Sequence, residues 1–248
     1  MTTFTDDEFL GGALDIRQPA RGFRAGVDSV LLAAAVNAPP GARVLELGAG
    51  AGVAALCLLK RLEDATVTGV EIDEDMAELA RWNAARNDVT ERFRLRIGDA
   101  AHPQRLGLKE GRFDHVMANP PWFDHSSAQS PADAGRAIAH MADDDLLENW
   151  LKAAARMLRH GGGLTLIHRA EALPEVLAAL ARRFGDVRVL PVQPKREKAA
   201  IRVIVGARKG KRAPLRLLPP FVLHEADGRF TERAEAVLRH GACVDMHR

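Results

Sequence analysis

Residues 114–122, Asp-His-Val-Met-Ala-Asn-Pro-Pro-Trp, carry the most specific chemical signal in the sequence. They read as a buried strand that runs into the tetrad of Asn119, Pro120, Pro121 and Trp122. The Asn119 side chain offers a carbonyl acceptor, proline holds its neighbouring carbonyls rigidly, and Trp122 offers a flat face for a planar group. Two acceptors on the hydrogens of an amide or exocyclic amine would localise its lone pair, which is transition-state stabilisation by preorganised dipoles. A strand followed by a proline turn is the alternative, and the tetrad alone leaves both open.

A second signal lies in residues 44–53, Val-Leu-Glu-Leu-Gly-Ala-Gly-Ala-Gly-Val. An apolar strand pattern ends in a glycine turn and a helical pattern follows, as in nucleotide-binding α/β units. A dinucleotide fingerprint would place glycine at position 53, where this chain has Val53. The glutamate-and-glycine form instead resembles the first motif of S-adenosylmethionine-dependent methyltransferases. The candidate loop residues are Glu46, Gly48, Gly50 and Gly52.

Two acidic residues close the next two strand patterns. Residues 66–73 predict a strand that ends near Glu71, and residues 94–100 predict one that ends at Asp99. The first carboxylate could accept hydrogen bonds from ribose hydroxyls, and the second could face an adenine amino group. Either acid alone could be a solvated loop carboxylate or a helix N-cap. Because ligands of open α/β sheets bind at the carboxyl ends of the strands, these signals in this order favour a nucleotide site.

The remaining pattern alternates helices and strands. Helical spacing recurs over residues 74–87, 144–159 and 173–184, and a strand is indicated over 163–167. Two β-rich segments, 186–193 and 199–207, are joined by a short link without a helix, so they should pair antiparallel. Five strands separated by helices, followed by a hairpin, have the order of the class I methyltransferase sheet. We therefore predict an α/β, Rossmann-like fold that is mostly parallel with a C-terminal antiparallel hairpin.

Length and composition are consistent with a single domain. The 248 residues are 47% hydrophobic, enough for one substantial core. We expect a lead-in over residues 1–40, a core sheet over 41–208, and a basic link and tail over 209–248. No opening segment resembles a signal peptide, no run approaches the roughly 20 apolar residues of a membrane span, and the two cysteines form no disulfide framework. These features favour a cytoplasmic location without membrane attachment. No metal is expected, because the histidines and cysteines lack ligand spacing. We interpret the histidines as structural or solvated, with a position at the pocket rim as the alternative for His125 and His168.

Charge is distributed unevenly along the chain. Residues 195–216, called the basic strip below, contain nine Lys or Arg and one acid, a net charge of +8 against −6 for the remainder. Such a segment is typical of a contact surface for a polyanion, although lysines also protect solvated edge strands from aggregation. Beside a nucleotide site we favour contact with nucleic acid. The expected contacts are Lys195, Arg196, Arg208, Lys209, Lys211 and Arg212.

Residues 11–32, from Gly-Gly-Ala-Leu-Asp to Ser-Val-Leu-Leu, resemble the N-terminal lead-in of the bacterial tRNA-valine adenine-N6 methyltransferase family. The resemblance continues through the glycine loop and the tetrad. It also covers residues 130–137, 159–169 and 214–230, which is nearly the whole chain. The family's aromatic position is most often Tyr or Phe, and here it is Trp122.

The resemblance implies roles for individual residues. It places the glycine loop under the methionine moiety of S-adenosylmethionine, Glu71 with Ile72 at the ribose, and Asp99 with Ala100 at the adenine. It places the lead-in over the cofactor through Gln18, Phe23, Gly26 and Asp28, and it makes Asn119, Pro120, Pro121 and Trp122 the catalytic tetrad, with Asn119 also near the cofactor.

The implied activity is methylation of adenine N6 in tRNA or in another RNA. Two alternatives stay open. Protein glutamine-amide methyltransferases share an Asn-Pro-Pro-Tyr tetrad, and a non-catalytic protein could bind S-adenosylmethionine and RNA. The intact glycine loop, acids and Asn119 argue against the non-catalytic alternative, and the basic strip favours RNA over a protein amide.

Overall fold

The computed structural model describes residues 3–22, 24–121 and 146–246. An N-terminal hairpin of β1 (Phe4–Phe9) and β2 (Leu14–Pro19) precedes the helix α1 (Val27–Ala35). The alternating region then contains β3 (Arg43–Leu47), α2 (Val53–Arg61), β4 (Thr66–Glu71), α3 (Glu74–Arg86), β5 (Phe93–Ile97) and β6 (Phe113–Ala118). It continues with α4 (Leu146–Met157), β7 (Leu158–Arg169) and α5 (Leu173–Leu180). The chain closes with β8 (Phe184–Lys195), β9 (Arg202–Lys209), β10 (Arg216–Leu217), β11 (Phe221–His224) and α6 (Glu232–His240).

One mixed sheet organises the molecule, with the strand order β10-β8-β9-β7-β6-β3-β4-β5 and β11 also paired with β8. Strands β3 to β7 run parallel, and β9 is antiparallel to both β7 and β8. The chain order therefore reverses beside β3, which has β4 on one side and β6 on the other. Ligands of open α/β sheets bind at such a switch point. The predicted parallel sheet and terminal hairpin are confirmed.

Two apolar layers cover the sheet. Helices α1, α2 and α3 pack on one face around residues such as Leu31, Leu56 and Leu58, which are fully buried. Helices α4 and α5 pack on the other face around Leu151 and Val176. In the central strands β3 and β6 nearly all side chains are buried, because both faces of these strands are covered.

Two connections differ from a regular alternation of strands and helices. The link between β5 and β6, for which no particular helix was predicted, contains only a short 3-10 turn, Pro103–Leu106. The helix predicted to reach residue 159 ends at Met157, and β7 begins at once. A Cβ on Gly163 would lie 2.5 Å from Nδ1 of the His115 ring, so glycine at this position lets β7 pass a buried side chain.

The segment after the predicted hairpin is more than a basic link. It adds β10 and β11 in parallel beside β8. Thr231 then caps α6 by accepting a hydrogen bond from the backbone N–H of Ala234 at 3.1 Å. The tail closes against α1 through the Val244 N–H, which donates to the carbonyl of Ala34 at 2.9 Å. Across the described ranges, no helix is long and apolar enough to span a membrane.

Candidate functional site

A cavity of about 560 Å³ lies at the carboxyl ends of β3, β4, β5 and β6. Its floor comes from Gly48–Ala51, Glu71–Asp73 and Asp99–Ala100, and Asn119 and Pro121 lie on the β6 side. Its cover comes from the segment after β2 and from α4. A volume of this size lies within the range of small-molecule and cofactor sites. The strand ends that were predicted from separate motifs thus meet in one place.

The three loop glycines have positive φ angles, but they serve different purposes. Gly48, at φ 72°, lines the cavity, and a Cβ there would lie 2.5 Å from the Trp150 ring. Gly52, at φ 84°, does not line the cavity. It is the N-cap of α2, and a Cβ there would lie 3.3 Å from Ala80 and from Phe93, so the absence of a side chain allows α2 to pack closely against its neighbours. Its predicted place as a cofactor contact is therefore indirect.

Glu71 is held in position by the loop beside it. One carboxylate oxygen accepts from the backbone N–H of Gly50 at 2.7 Å, and the other accepts from Ile72 and Asp73 at 2.9 and 3.0 Å. The side chain of Ile72 remains 71% exposed on the rim of the cavity. Because a carboxylate offers about four acceptor positions, Glu71 retains capacity for donors of a ligand.

Asp99 lies across the cavity rim at the end of β5. Its carboxylate accepts from the Ala101 N–H at 2.8 Å and contacts Nδ1 of His102 at 2.6 Å. Burial raises the pKa of Asp99, but the hydrogen bonds from His102 and Ala101 lower it more, so the pKa falls below its ordinary value. The side chain is 47% exposed and stays ionised at neutral pH. Ala100 follows it in the lining.

Glu46 is the opposite case. It lies on β3 and lines the cavity, yet it is only 3% exposed. Burial and the nearby Glu71 carboxylate raise the pKa of Glu46 well above its ordinary value. Its Oε2 atom has no hydrogen-bond partner among the described residues. Since an unpartnered buried oxygen is costly, this position fits a ligand that brings a donor or a positive charge.

The lead-in crosses the cavity through Gln18, which is 2% exposed. Its side chain accepts from the N–H of Ala25 at 2.8 Å and donates to the Ala25 carbonyl at 3.2 Å and to Asp7 at 3.0 Å. Asp7 in turn pairs with Arg24 at 2.5 Å. Gln18 therefore lies in the cavity lining, as predicted, and its hydrogen bonds hold the segment up to Ala25 over the cavity.

Two predicted lead-in contacts are not part of the cavity wall. Gly26 lies at the N-terminus of α1, and Asp28 binds Arg202 of β9 at 2.8 Å. Asp28 was expected to face the cofactor, and this ion pair explains why its carboxylate points elsewhere. Phe23 lies outside the described residues.

Asn119 and Pro121 of the tetrad line the cavity. Pro120 is buried and lies outside the lining, which agrees with a positioning role for its rigid ring. Trp122, His125 and residues 130–137 lie outside the described ranges. His168 is buried behind the site, where its Nδ1 accepts from the Arg169 N–H at 2.9 Å. It does not line the cavity, in agreement with the structural interpretation and against the alternative position at the rim.

Sequence reasoning missed several lining residues. Trp150 covers Gly48, but its helical spacing with other apolar residues marked it only as core. Ser29 and Met76 likewise line the cavity from α1 and α3. Arg21 is the one cation in the described lining, against the acids Glu46, Glu71, Asp73 and Asp99. A charged residue inside the lead-in motif was the available signal for Arg21.

The basic strip divides between the two edges of the sheet. Arg202 pairs in register with Arg169 at the end of β7, so the β8–β9 loop lies at the cavity edge. Arg208 pairs with Gly163 near the start of β7, at the opposite edge. The strip is therefore two separate cationic regions rather than one continuous surface. Across the described ranges, no group of three or more His, Cys, Asp or Glu could hold a metal ion.

Comparison with known proteins gives a consistent assignment. Residues 24–196 match the methyltransferase small domain family. The chain is 35% identical over 202 residues to a protein of Porphyromonas gingivalis named tRNA1(Val) (adenine(37)-N6)-methyltransferase, covering 77% of this chain and 78% of that one. It is also 28% identical over 166 residues to a release factor glutamine methyltransferase of Chlorobaculum tepidum, covering 64% of this chain and 56% of that one.

A solved structure supports the same fold. It is described as a predicted O-methyltransferase of Agrobacterium tumefaciens, and it is 30% identical to this chain with a TM-score of 0.76. The match covers 89% of this chain and 100% of that one.

Proposed function

Because the chain belongs to the methyltransferase small domain family and, within it, to the tRNA-valine adenine-N6 methyltransferase family, we propose that it methylates N6 of an adenine in tRNA. The proposed methyl donor is S-adenosylmethionine. The observation that carries the proposal is the placement of Asn119 on the same cavity as Glu46, Glu71 and Asp99. A polar acceptor beside a nucleotide-sized site is the arrangement that methylation of an amino group requires.

The residues present fit this donor. Glu71 has free acceptor capacity for ribose hydroxyls, and the ionised Asp99 suits the adenine amino group. At Glu46, the unpartnered oxygen would accept from the ammonium of the methionine moiety. A positive charge there would also favour the ionised form of a carboxyl whose pKa is raised in the cavity. Arg21 is placed on the same lining to complement a carboxylate.

When bound, S-adenosylmethionine supplies an activated methyl group on a sulfonium. The protein contributes position and electrostatics. The Asn119 carbonyl accepts a hydrogen bond from the acceptor amine and localises its lone pair toward the methyl. Holding the reacting atoms in line is worth on the order of 7–11 kcal/mol in well-oriented reactions. No strong general base is required, because the nitrogen becomes acidic as it gains the methyl group.

The acceptor base has to leave its stack to reach Asn119. Unstacking a loop base costs a few kcal/mol. Stacking on an aromatic side chain returns about 1–3 kcal/mol per base, and Trp122 is the residue of the tetrad proposed for this contact. A tRNA substrate also implies that the protein works in the cytoplasm.

A protein glutamine amide is the second candidate acceptor. The Chlorobaculum relative favours it, but the match spans little more than half of that protein. The basic strip favours RNA, since a protein amide does not require a cationic surface. The name of the Agrobacterium protein assigns an oxygen acceptor to that protein, whereas an Asn-Pro-Pro site supplies acceptors for the hydrogens of an amine.

A labelling experiment tests the proposal. The protein would be incubated with methyl-labelled S-adenosylmethionine and, separately, with unmodified valine tRNA, total rRNA and a protein extract. We expect label in the tRNA, recovered as N6-methyladenosine after digestion to nucleosides. Label in protein alone would replace RNA with the glutamine alternative. Label in cytosine or guanine would keep the partner and refute the adenine chemistry.

A further inference from the structure

We propose that RNA docks on the loop between β8 and β9, with Arg196 and Lys198 binding phosphates next to the flipped base. This inference rests on the proposed function and identifies the surface that presents the substrate to the site. It also revises the sequence-based expectation that the whole basic strip contacts RNA.

The order of the strands places this loop on the acceptor side. Glu71 and Asp99 follow β4 and β5, and Asn119 follows β6. Beyond β6 the sheet continues with β7, β9 and β8, away from the residues assigned to the nucleoside. Arg202 pairs with Arg169 three residues beyond the Ala118–Leu166 pair, so the β8–β9 loop emerges at the cavity edge. An acceptor strand that reaches Asn119 from outside therefore passes over this loop.

Two cations in the loop are available for a ligand. The side chains of Arg196 and Lys198 are exposed, and neither forms an ion pair within the part of the chain that the structure describes. Their neighbours are already engaged, since Lys195 donates to the carbonyl of Ala226 at 2.9 Å and Arg202 binds Asp28 at 2.8 Å. These contacts hold both ends of the loop and leave its middle free. Ile201, 46% exposed beside them, adds an apolar surface for a sugar or base.

The cations at the opposite edge are largely committed to the fold. Lys209 donates to the carbonyl of Leu158 at 2.6 Å. Arg208 and Arg216 lie 3.9 and 3.2 Å from the same carboxylate, Asp186. From Arg202 to Lys209, β9 spans about 23 Å at roughly 3.3 Å per residue, so these groups are far from Asn119. These cations therefore stabilise the far edge of the sheet, and they lie too far from the acceptor base to bind the phosphates next to it.

Lys211 and Arg212 provide a matched control. They are exposed, they form no ion pair with another described residue, and they lie at the far edge. The test compares R196Q/K198Q with K211Q/R212Q, which remove equal charge from similar side chains. Binding of unmodified valine tRNA would be measured over a range of salt concentrations for both variants and the wild type. Calorimetry with S-adenosylhomocysteine and thermal unfolding would verify that both variants stay folded and bind the cofactor product.

We expect R196Q/K198Q to weaken RNA binding on the order of tenfold and to reduce the salt slope by about 1.4, or 0.7 for each lost single-strand phosphate contact. Its apparent KM for tRNA should rise while kcat at saturation is preserved. The K211Q/R212Q variant should match the wild type.

Wild-type binding and slope in R196Q/K198Q would overturn the inference, as would an equal or larger loss in K211Q/R212Q. Failure of the proposed function itself is recognised separately. In that case the wild type would leave tRNA unmethylated while it labels protein, and the loop would lose its role as an RNA surface as well.

Discussion

The two sides of the cavity use the same type of side chain in opposite ways. On the β3–β6 side, Glu46 is buried, one of its oxygens has no partner among the described residues, and its pKa is raised. On the β4–β5 side, local hydrogen bonds hold Glu71 and Asp99 in position, and the pKa of Asp99 is lowered. The first side therefore offers a ligand an unpartnered acceptor, whereas the acids of the second side are already held by the chain's own hydrogen bonds. We therefore expect Asn119, on the β3–β6 side, to govern the rate, and the acids Glu71 and Asp99 of the β4–β5 side to govern the affinity.

The largest expected effect is on the β3–β6 side, at Asn119. The substitution Asn119→Ala should reduce methyl transfer by about 100- to 1,000-fold, because one preorganised group is worth roughly 2.7–4 kcal/mol of barrier. The affinity for S-adenosylmethionine should stay nearly unchanged. Single-turnover rates and calorimetry measure the two quantities separately. Turnover at the wild-type rate would show that Asn119 is not catalytic and would favour the alternative that the tetrad is only a structural turn.

The next largest effect should come from Glu71. The substitution Glu71→Ala removes the carboxylate that the Gly50, Ile72 and Asp73 N–H groups hold, and with it the acceptor for the ribose. We expect the Kd for S-adenosylhomocysteine to rise about 10- to 100-fold, since a charged hydrogen bond contributes roughly 1.5–3 kcal/mol. Glu78→Ala, an exposed acid on α3 outside the lining, is the control. An unchanged Kd with a lower rate would contradict the assignment of Glu71 to cofactor affinity.

The next expected effect is that of Glu46 on the pH dependence of the free energy of unfolding. Because its folded pKa is raised above the ordinary value of 4.5, the unfolded state releases its proton first, and stability is lost as the pH rises from 4.5 through the folded pKa. The loss has a slope of at most about 1.4 kcal/mol per pH unit for one proton. Glu46→Gln should remove this slope in denaturation of the ligand-free protein at several pH values. Parallel curves for the two proteins would contradict the burial argument.

The smallest effect should be that of Asp99→Asn, because this side chain is half exposed and solvent screens its interactions. We expect the affinity for S-adenosylhomocysteine to fall several-fold, corresponding to about 1 kcal/mol for one hydrogen bond. The wild type should also prefer this ligand over its inosine analogue, which lacks the adenine amino group. If the variant kept that preference, the adenine would be read by another residue.

The sequence predicted the parts of the site that depend on strand ends. Glu46, Glu71, Asp99 and Asn119 follow from the rule that parallel strands bring their carboxyl ends to one edge, and the structure lines the cavity with all four. Periodicity could not show that Trp150 covers Gly48, because it distinguishes the apolar face of a helix but not core from cavity wall.

Other differences depend on contacts between distant segments. Asp28 turns to Arg202, a residue 174 positions away, and no local pattern reveals such a pair. Gly52 has the conformation expected of the loop, but its lack of a side chain serves α2 packing. The basic strip was treated as one surface because its residues are close in sequence. In the structure the strip begins in the β8–β9 loop at one edge of the sheet and then runs along β9 to the opposite edge.

The short strands β10 and β11 protect the longest outer strand of the sheet. β8 has twelve residues, and both strands of the tail pair along the side that β9 leaves open. Without them, β8 would present a row of unpaired N–H and C=O groups to solvent along a stretch that includes the buried Val189, Leu190 and Val192. Exposed strands of this kind template pairing between chains. We therefore expect the tail of this enzyme to limit self-association. A protein shortened before β10 should aggregate even though every described residue of the cavity lining would remain.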